Sequence, residues 1–141
     1  GVEKNEEEAE KLSGEISKMA LGQSKGMKWR EEMDLEWGFD ERIGRLIIKG
    51  KGPLENYADG HKSCQMNDYN LSGYRMAPWR NKYGERIQSV VVCHGISSIG
   101  EHAFEGFDNL RSVVLPISVT TIRDYAFQDY YGLYQSRFQI L

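Results

Sequence analysis

The sequence predicts an α+β chain with an N-terminal helical arm, a β-hairpin-rich cap and a short right-handed solenoid. Three observations predict this class. The first residues are polar, with apolar side chains at helical spacing. The next segment alternates apolar and polar residues at the period of a strand. The last third of the chain repeats itself every 23 residues. We expect an arm over residues 1–26, a cap over 27–86 and repeats over 87–141.

The arm is rich in glutamate, and its apolar residues recur at steps of three and four, which predicts an amphipathic helix from about Glu6 to Leu21. Gly14 interrupts the apolar face, and residues 22–26 have the composition of a linker. A solvated arm that docks weakly is the alternative interpretation. The predicted apolar face consists of Ala9, Leu12, Ile16, Met19 and Ala20.

The cap begins with a predicted β-hairpin. Its first strand alternates apolar with polar residues, its turn is residues 40–44, and its second strand is residues 45–50. Residues 58–79 combine turn-forming residues with tyrosines and Trp79, so we expect a long surface loop there. The apolar residues of the first strand are Met33, Leu35, Trp37 and Phe39.

The repeat is found by shifting the chain by 23 residues without a gap. Ser89 then meets Ser112, Val90 meets Val113, and Ala103-Phe104 meets Ala126-Phe127. The units are residues 87–109 and 110–132, and Leu133 opens a partial third unit over 133–141. The residues predicted to point inward in the first unit, each with its partner in the second, are Ile87, Val90, Val92, Ile96, Ile99, Ala103, Phe104 and Phe107.

A period between 20 and 29 residues with aliphatic residues at strand spacing is typical of leucine-rich repeats. Each unit is expected to contribute one short strand, at 89–92 or 112–115, followed by a turn and a return segment. Stacked units bury a shared core that no single unit could bury alone.

The motif Gly95-Ile-Ser-Ser-Ile-Gly-Glu-His-Ala-Phe and its counterpart at residues 113–127 resemble the BspA-type leucine-rich repeat of bacterial surface proteins. Trp37, residues 44–50 and Pro78-Trp79 resemble the segment that precedes the first repeat in that family. The resemblance implies a secreted or surface-anchored bacterial chain that acts in adhesion and binds host proteins without catalysis.

Two full repeats form a short array, and its last strand needs a cover because an open edge leaves backbone groups unpaired. We expect either that the apolar tail at residues 134–141 folds back over this end or that a homodimer forms through the last repeat.

The residues expected to bind a protein partner are those that strand alternation points away from the core: Ser89, Val91, Ser112 and Val114. Val91 and Val114 would form a small exposed apolar stripe, although scattered surface valine is the plainer interpretation. In the long loop, Tyr69 and Tyr74 are the surface candidates, whereas Trp79 is expected to seal the junction of cap and first repeat.

Other functions are disfavoured by composition. A net charge of −3 provides no basic field for nucleic acid, and no apolar run is long enough to span a membrane. His61, Cys64, Cys93 and His94 match no zinc spacing, so we predict no metal, although a disulfide between the cysteines stays open. His94 and His102 occupy slots that accept polar and apolar residues, and are expected to face solvent.

No catalytic motif or phosphate loop is recognisable, so we predict neither an enzyme nor a cofactor. We also expect the carboxylates of Asp40 and Glu41 to be solvated turn residues.

The sequence therefore favours a non-catalytic protein-interaction module, adhesin-like by resemblance, at the cell surface or secreted. No export signal opens the sequence, so we expect that any such signal has been removed or never existed. The alternatives are a glycan-binding module that uses the aromatic loop 57–79 and a structural spacer without a ligand.

Overall fold

The structure is a computed structural model, and it describes residues 2–58, 74–127 and 138–140. One long helix precedes two sheets. The elements in chain order are α1 (Val2–Gln23), β1 (Arg30–Glu32), β2 (Leu35–Asp40), β3 (Arg45–Gly50), β4 (Gly52–Pro53), α2 (Arg80–Tyr83), β5 (Ser89–Val92), β6 (Ile96–Ile99), β7 (Ser112–Leu115), β8 (Thr121–Ile122) and β9 (Phe138–Ile140).

The predicted hairpin is confirmed, because β2 and β3 pair antiparallel with Trp37 opposite Ile48. Gly44 closes its turn with a φ of +66°, a conformation that glycine adopts without steric cost. The sequence did not predict β1, which pairs antiparallel with β2. Met33 was wrongly assigned to the first strand: it lies in the turn between β1 and β2, with a φ of +59°, and is 79% exposed.

The larger sheet joins the hairpin to the repeats without a break. Its strand order is β1-β2-β3-β5-β7-β9, and the pairs from β3 onward are parallel. Leu46 lies opposite Val90, and Val90 lies opposite Val113, so the predicted adjacency of the two repeat strands is confirmed. The cap therefore supplies the first parallel strand of the array, and each later strand is added beside it.

The smaller sheet contains β4, β6 and β8, again all parallel. Each coil of the chain thus contributes one strand to each sheet. Neither sheet closes on itself. The right-handed path that the sequence predicts stays a prediction.

The core lies between the two sheets and contains all the residues that were predicted to point inward in the first unit. In the second unit the prediction was wrong for Ile122, which is 41% exposed although its counterpart Ile99 is fully buried. The reason is position: β6 has a neighbour on each side, whereas β8 pairs only with β6 among the described residues. The buried core of the repeats consists of Ile87, Val90, Val92, Ile96, Ile99, Ala103, Phe104, Phe107, Leu110, Val113, Leu115 and Ala126.

Trp79 seals the junction between cap and repeats, as predicted. It is fully buried, and its indole N–H donates a 2.7 Å hydrogen bond to the carbonyl of Ala103. Its ring packs edge-on against Trp37 and Tyr57 and lies 6.1 Å from the ring of Phe104, which in turn packs on Phe127. One aromatic ladder therefore runs from the cap through both repeats.

The C-terminal tail adds a further parallel strand, since β9 pairs with β7 and places Phe138 opposite Val113. This agrees with a folded-back tail over the last repeat strand. The 23-residue repeat predicts Ser136 opposite Val113. The residue that lies there is Phe138, two positions further along the chain. Leu133, the predicted start of a third unit, lies outside the described residues. A homodimer through this end stays a prediction.

Candidate interaction surface

The larger sheet has an outer face that points away from the core, as strand alternation predicted. Val91, Cys93 and Val114 belong to a separate apolar cluster on that face, together with Ile47 of β3 and Ala20 of α1. Their neighbours Val90, Val92 and Val113 belong to the main core. Val91 and Val114 therefore lie on the opposite face of the sheet from the main core, as alternation predicted.

Helix α1 covers this outer face, so the expected exposed stripe does not exist. Val91 is only 5% exposed, and Val114 is half-buried against the same cluster. The expectation of exposed valines was wrong because strand alternation says which way a side chain points and not what lies on it. Ser89 and Ser112, which lie opposite each other on β5 and β7, are half-buried and remain partly accessible.

The helix itself is confirmed, and its docking face was assigned correctly in part: Ala20 is buried as predicted, and Ala9 and Ile16 are half-buried. Leu12 and Met19 are 50% and 63% exposed, whereas Ser13, Ser17 and Ala20 are buried. Small side chains at steps of four and three allow the helix backbone to lie close to the sheet. Apolar periodicity does not reveal this face because two of its three buried residues are serines.

The two serines bind the ends of two successive strands. The Ser17 hydroxyl accepts a 2.8 Å hydrogen bond from the backbone N–H of His94, just beyond β5. The Ser13 hydroxyl accepts a 3.2 Å bond from the N–H of Ile117, just beyond β7. His94 and Ile117 are 23 residues apart and occupy equivalent positions of the two units. Helix α1 therefore contacts the repeat array once per coil.

His94 does not face open solvent, contrary to expectation. It is half-buried under α1, and its Nδ1 lies 3.2 Å from the Ser13 hydroxyl oxygen. The Ser17 hydroxyl donates its own proton to the carbonyl of Ser13, at 3.0 Å, so both serines have defined partners.

The C-terminal end of α1 is held by a polar cluster around Asp40. The Ser24 hydroxyl donates a 2.9 Å hydrogen bond to Asp40, and Arg42 donates further bonds to the same carboxylate and one to the carbonyl of Gln23. These partners, Arg42 first, lower the pKa of Asp40 to about 2. The expectation of a solvated Asp40 was wrong, because Ser24 and Arg42 enclose it; Glu41 is exposed and pairs with Arg86.

Two comparisons with known proteins identify the repeats. Residues 82–139 match the family model described as "BspA type Leucine rich repeat region (6 copies)". This region of the chain is similar to BspA-type leucine-rich repeats. A solved structure of a leucine-rich repeat protein from Eubacterium ventriosum is similar over 80% of this chain, with 26% identity and a TM-score of 0.60. The similar region makes up 25% of that protein's chain, so this chain spans about a quarter of its length. No curated protein matches.

The BspA-type match agrees with the resemblance read from residues 95–104 and 113–127. Leucine-rich repeat proteins are generally binding modules and not enzymes. In the part of the chain that the structure describes, no helix has both the length and the apolar content needed to cross a bilayer.

Two of the described aromatic residues of loop 57–79 belong to the core. Tyr57 and Trp79 are fully buried, whereas Tyr74 is 39% exposed. Burial raises the pKa of the Tyr57 hydroxyl well above its ordinary value. Tyr69 lies outside the described residues. The described aromatics therefore leave Tyr74 as the exposed part of the surface on which a glycan site was predicted.

Cys93 is a free thiol buried under α1, and burial raises its pKa to about 11. Its potential partners His61 and Cys64 lie outside the described residues. Within residues 2–58, 74–127 and 138–140, no group of three or more histidine, cysteine or acidic side chains is placed to hold a metal ion.

The first repeat contains a buried carboxylate that was not predicted from the sequence. Glu105 is fully buried and accepts a 2.6 Å hydrogen bond from Arg80 of α2, while Nδ1 of His102 lies 3.3 Å away. His102 was expected to face solvent, but its side chain is mostly covered because its ring stacks on Tyr125, its counterpart in the next unit. His102 and Tyr125 both have positive φ, at 57° and 62°. The pairing of Arg80 with Glu105 links the cap to the first repeat.

Proposed function

We propose that this chain is a non-catalytic protein-interaction module of a secreted or surface-exposed bacterial protein, and that it binds its partner through the outer face of the larger sheet. The BspA-type repeats support the class of function, and the bacterial leucine-rich repeat protein with a similar structure agrees with it. An adhesin-like role toward host or matrix proteins follows from the same resemblance.

The observation that carries the proposal is the seating of α1 on the outer face. The face already holds a polypeptide segment through backbone N–H groups of two coils and through the apolar cluster around Val91. A surface that combines regularly spaced donors with a small apolar centre has the composition of a protein-binding site. Ser89 and Ser112 lie on this face and are accessible enough to contact a partner.

The test uses the full-length chain and a panel of extracellular-matrix proteins in surface plasmon resonance. We expect at least one of them to bind, and the double variant Ser89→Arg/Ser112→Arg to weaken that binding at least tenfold, since two long cations would occupy the face. The matched control is Thr120→Arg/Thr121→Arg, which places the same charges on exposed residues at the smaller sheet.

Equal binding by both double variants would place the interaction elsewhere and contradict the proposal. A glycan array run in parallel examines the alternative role of loop 57–79, with Tyr74→Ala as its variant. Binding to glycans that this variant abolishes, without any matrix protein bound, would favour that alternative.

A further inference from the structure

We propose that the outer face recognises a helix through a row of backbone N–H groups, one from each coil. Helix α1 occupies this row and can be displaced from it. The partner is then a helix of another protein with small hydroxyl or methyl side chains at every fourth position. The inference rests on the proposed function, because it names the kind of partner that the same face accepts.

The spacing of donors and acceptors supports a repeating mode of recognition. The N–H groups of His94 and Ile117 come from equivalent positions of adjacent coils, and their acceptors Ser17 and Ser13 are four residues apart. Four residues make about one turn of an α-helix. One turn of helix is thus matched to one coil of the array, so the match depends on the backbone of the repeats and not on their side chains.

The N-terminal turns of α1 dock through the buried Ser13 and Ser17, with Ile16 half-buried beside them. Leu12 and Met19 are mostly exposed and contribute little burial. The apolar contacts of α1 with the outer-face cluster lie near its C-terminal end, where Ala20 is buried and Leu21 packs against the cluster. Net hydrogen-bond energies in water are only about 0.5–1.5 kcal/mol each, so the bonds of Ser13 and Ser17 do not lock the helix.

The position of the tether explains why α1 occupies the row without a partner. The contacts of Ser24 and Gln23 with Asp40 and Arg42 hold the C-terminal end of the helix beside the sheet. An attached ligand has a high effective concentration, so even weak bonds keep it in place. A partner helix with better apolar contacts can then displace the N-terminal turns while the tether persists.

The experiment measures binding of a fluorescein-labelled peptide with the sequence of residues 2–26 to the full-length chain. The variant Ser13→Glu/Ser17→Glu removes the small docking face of the resident helix and leaves the N–H row intact. We expect the peptide to bind this variant at least tenfold more tightly than the wild type. A peptide that carries the same two substitutions should bind neither chain. The control Lys11→Gln/Lys18→Gln changes the net charge equally on exposed positions and should behave as wild type.

Cooperative thermal unfolding and near-UV circular dichroism establish that each variant is folded. If the glutamate variant does not fold, Ser13→Ala/Ser17→Ala replaces it, with an expected gain of about fivefold or more because both hydrogen bonds to the sheet are lost. Equal peptide binding by a folded variant and the wild type would overturn the inference. A doubled wild-type mass in light scattering at the concentrations used would also overturn it, by assigning the face to a second copy.

The two proposals fail separately. Binding of a matrix protein that depends on Ser89 and Ser112, together with no binding of the peptide, would leave the interaction role intact and refute the helix-recognition rule. Peptide binding without any matrix partner would support the rule and contradict the adhesin-like role.

Discussion

The hydroxyl of Ser24 donates a 2.9 Å hydrogen bond to the carboxylate of Asp40, which joins the end of α1 to the end of β2. This contact fixes where the arm leaves the sheet and therefore where α1 can lie.

Replacing Asp40 with Asn should lower the free energy of unfolding by about 1.5–3 kcal/mol, the usual range for hydrogen bonds to a charged group. The folded pKa of Asp40, about 2, lies below its ordinary value of 3.8. Its contribution is therefore fully present above pH 4 and is lost as the pH falls toward 2. Urea unfolding of the wild type and the variant should differ at pH 6 and converge near pH 2. The exposed neighbour Glu41, replaced by Gln, should change stability by less than about 0.5 kcal/mol. A constant difference between the wild type and Asp40→Asn across this pH range would contradict the assignment.

Trp79 should be the most costly aromatic residue to truncate. Trp79→Ala removes a fully buried indole from the ladder and should cost about 3–5 kcal/mol in urea unfolding. Trp79→Phe should cost less, because it keeps a ring in the ladder and loses mainly the bond to the Ala103 carbonyl. Tyr74→Ala is the exposed counterpart and should change stability by less than about 0.5 kcal/mol. Similar costs for Trp79→Ala and Tyr74→Ala would refute this role for Trp79.

Two glycines should respond to alanine in opposite directions. A Cβ atom at Gly100 would overlap the carbonyl oxygen of Glu55, so Gly100→Ala should push the cap from the first repeat and lower the melting temperature by several degrees. A Cβ at Gly14 would meet nothing within 4 Å, so Gly14→Ala should stabilise α1 by roughly 0.5–1 kcal/mol. Differential scanning calorimetry measures both. A melting temperature that rises for Gly100→Ala would show that the cap can move aside.

Cys93 should report whether α1 is docked. With a pKa of about 11 against an ordinary value of 9.0, its thiolate fraction at pH 8 is about 100-fold lower than that of an unshifted thiol. Alkylation by iodoacetamide, followed at Cys93 by mass spectrometry, should therefore be slow in the wild type. It should accelerate in Ser13→Glu/Ser17→Glu and stay slow in Lys11→Gln/Lys18→Gln. Fast alkylation of the wild type would mean that the helix does not cover the sheet in solution.

The parts of the fold that were predicted from the sequence are those in which apolar residues recur at a fixed spacing because they share one core. The 23-residue shift pairs Val90 with Val113, and in-register stacking is what such identity requires. Gly100 carries a further sequence signal, because its counterpart in the second unit is Arg123, which is exposed. A glycine in a slot that accepts arginine one coil later indicates that something approaches closely, and here it is the backbone of Glu55.

The arrangement on the outer face could not be predicted in the same way. Alternation along β5 gave the direction of Val91 correctly, but its cover includes Ala20 of α1, 71 positions earlier in the chain. The docked side of α1 carries serines, whose hydroxyls satisfy backbone donors, and apolar periodicity does not detect them. The same argument applies to β9, where pairing with β7 overrides the expected repeat spacing by two residues.

The rise of one helical turn and the spacing of neighbouring strands are close but not equal. Four residues of α-helix advance ~6 Å, whereas neighbouring strands are ~4.8 Å apart, so successive contacts drift by ~1.2 Å. Over the two coils bound by Ser17 and Ser13 this drift fits within the tolerance of hydrogen-bond geometry. A straight helix would lose alignment after a few more coils unless it ran obliquely across the strands. The number of coils that a straight helix can contact in this way is thus set by the difference between the helical rise and the strand spacing.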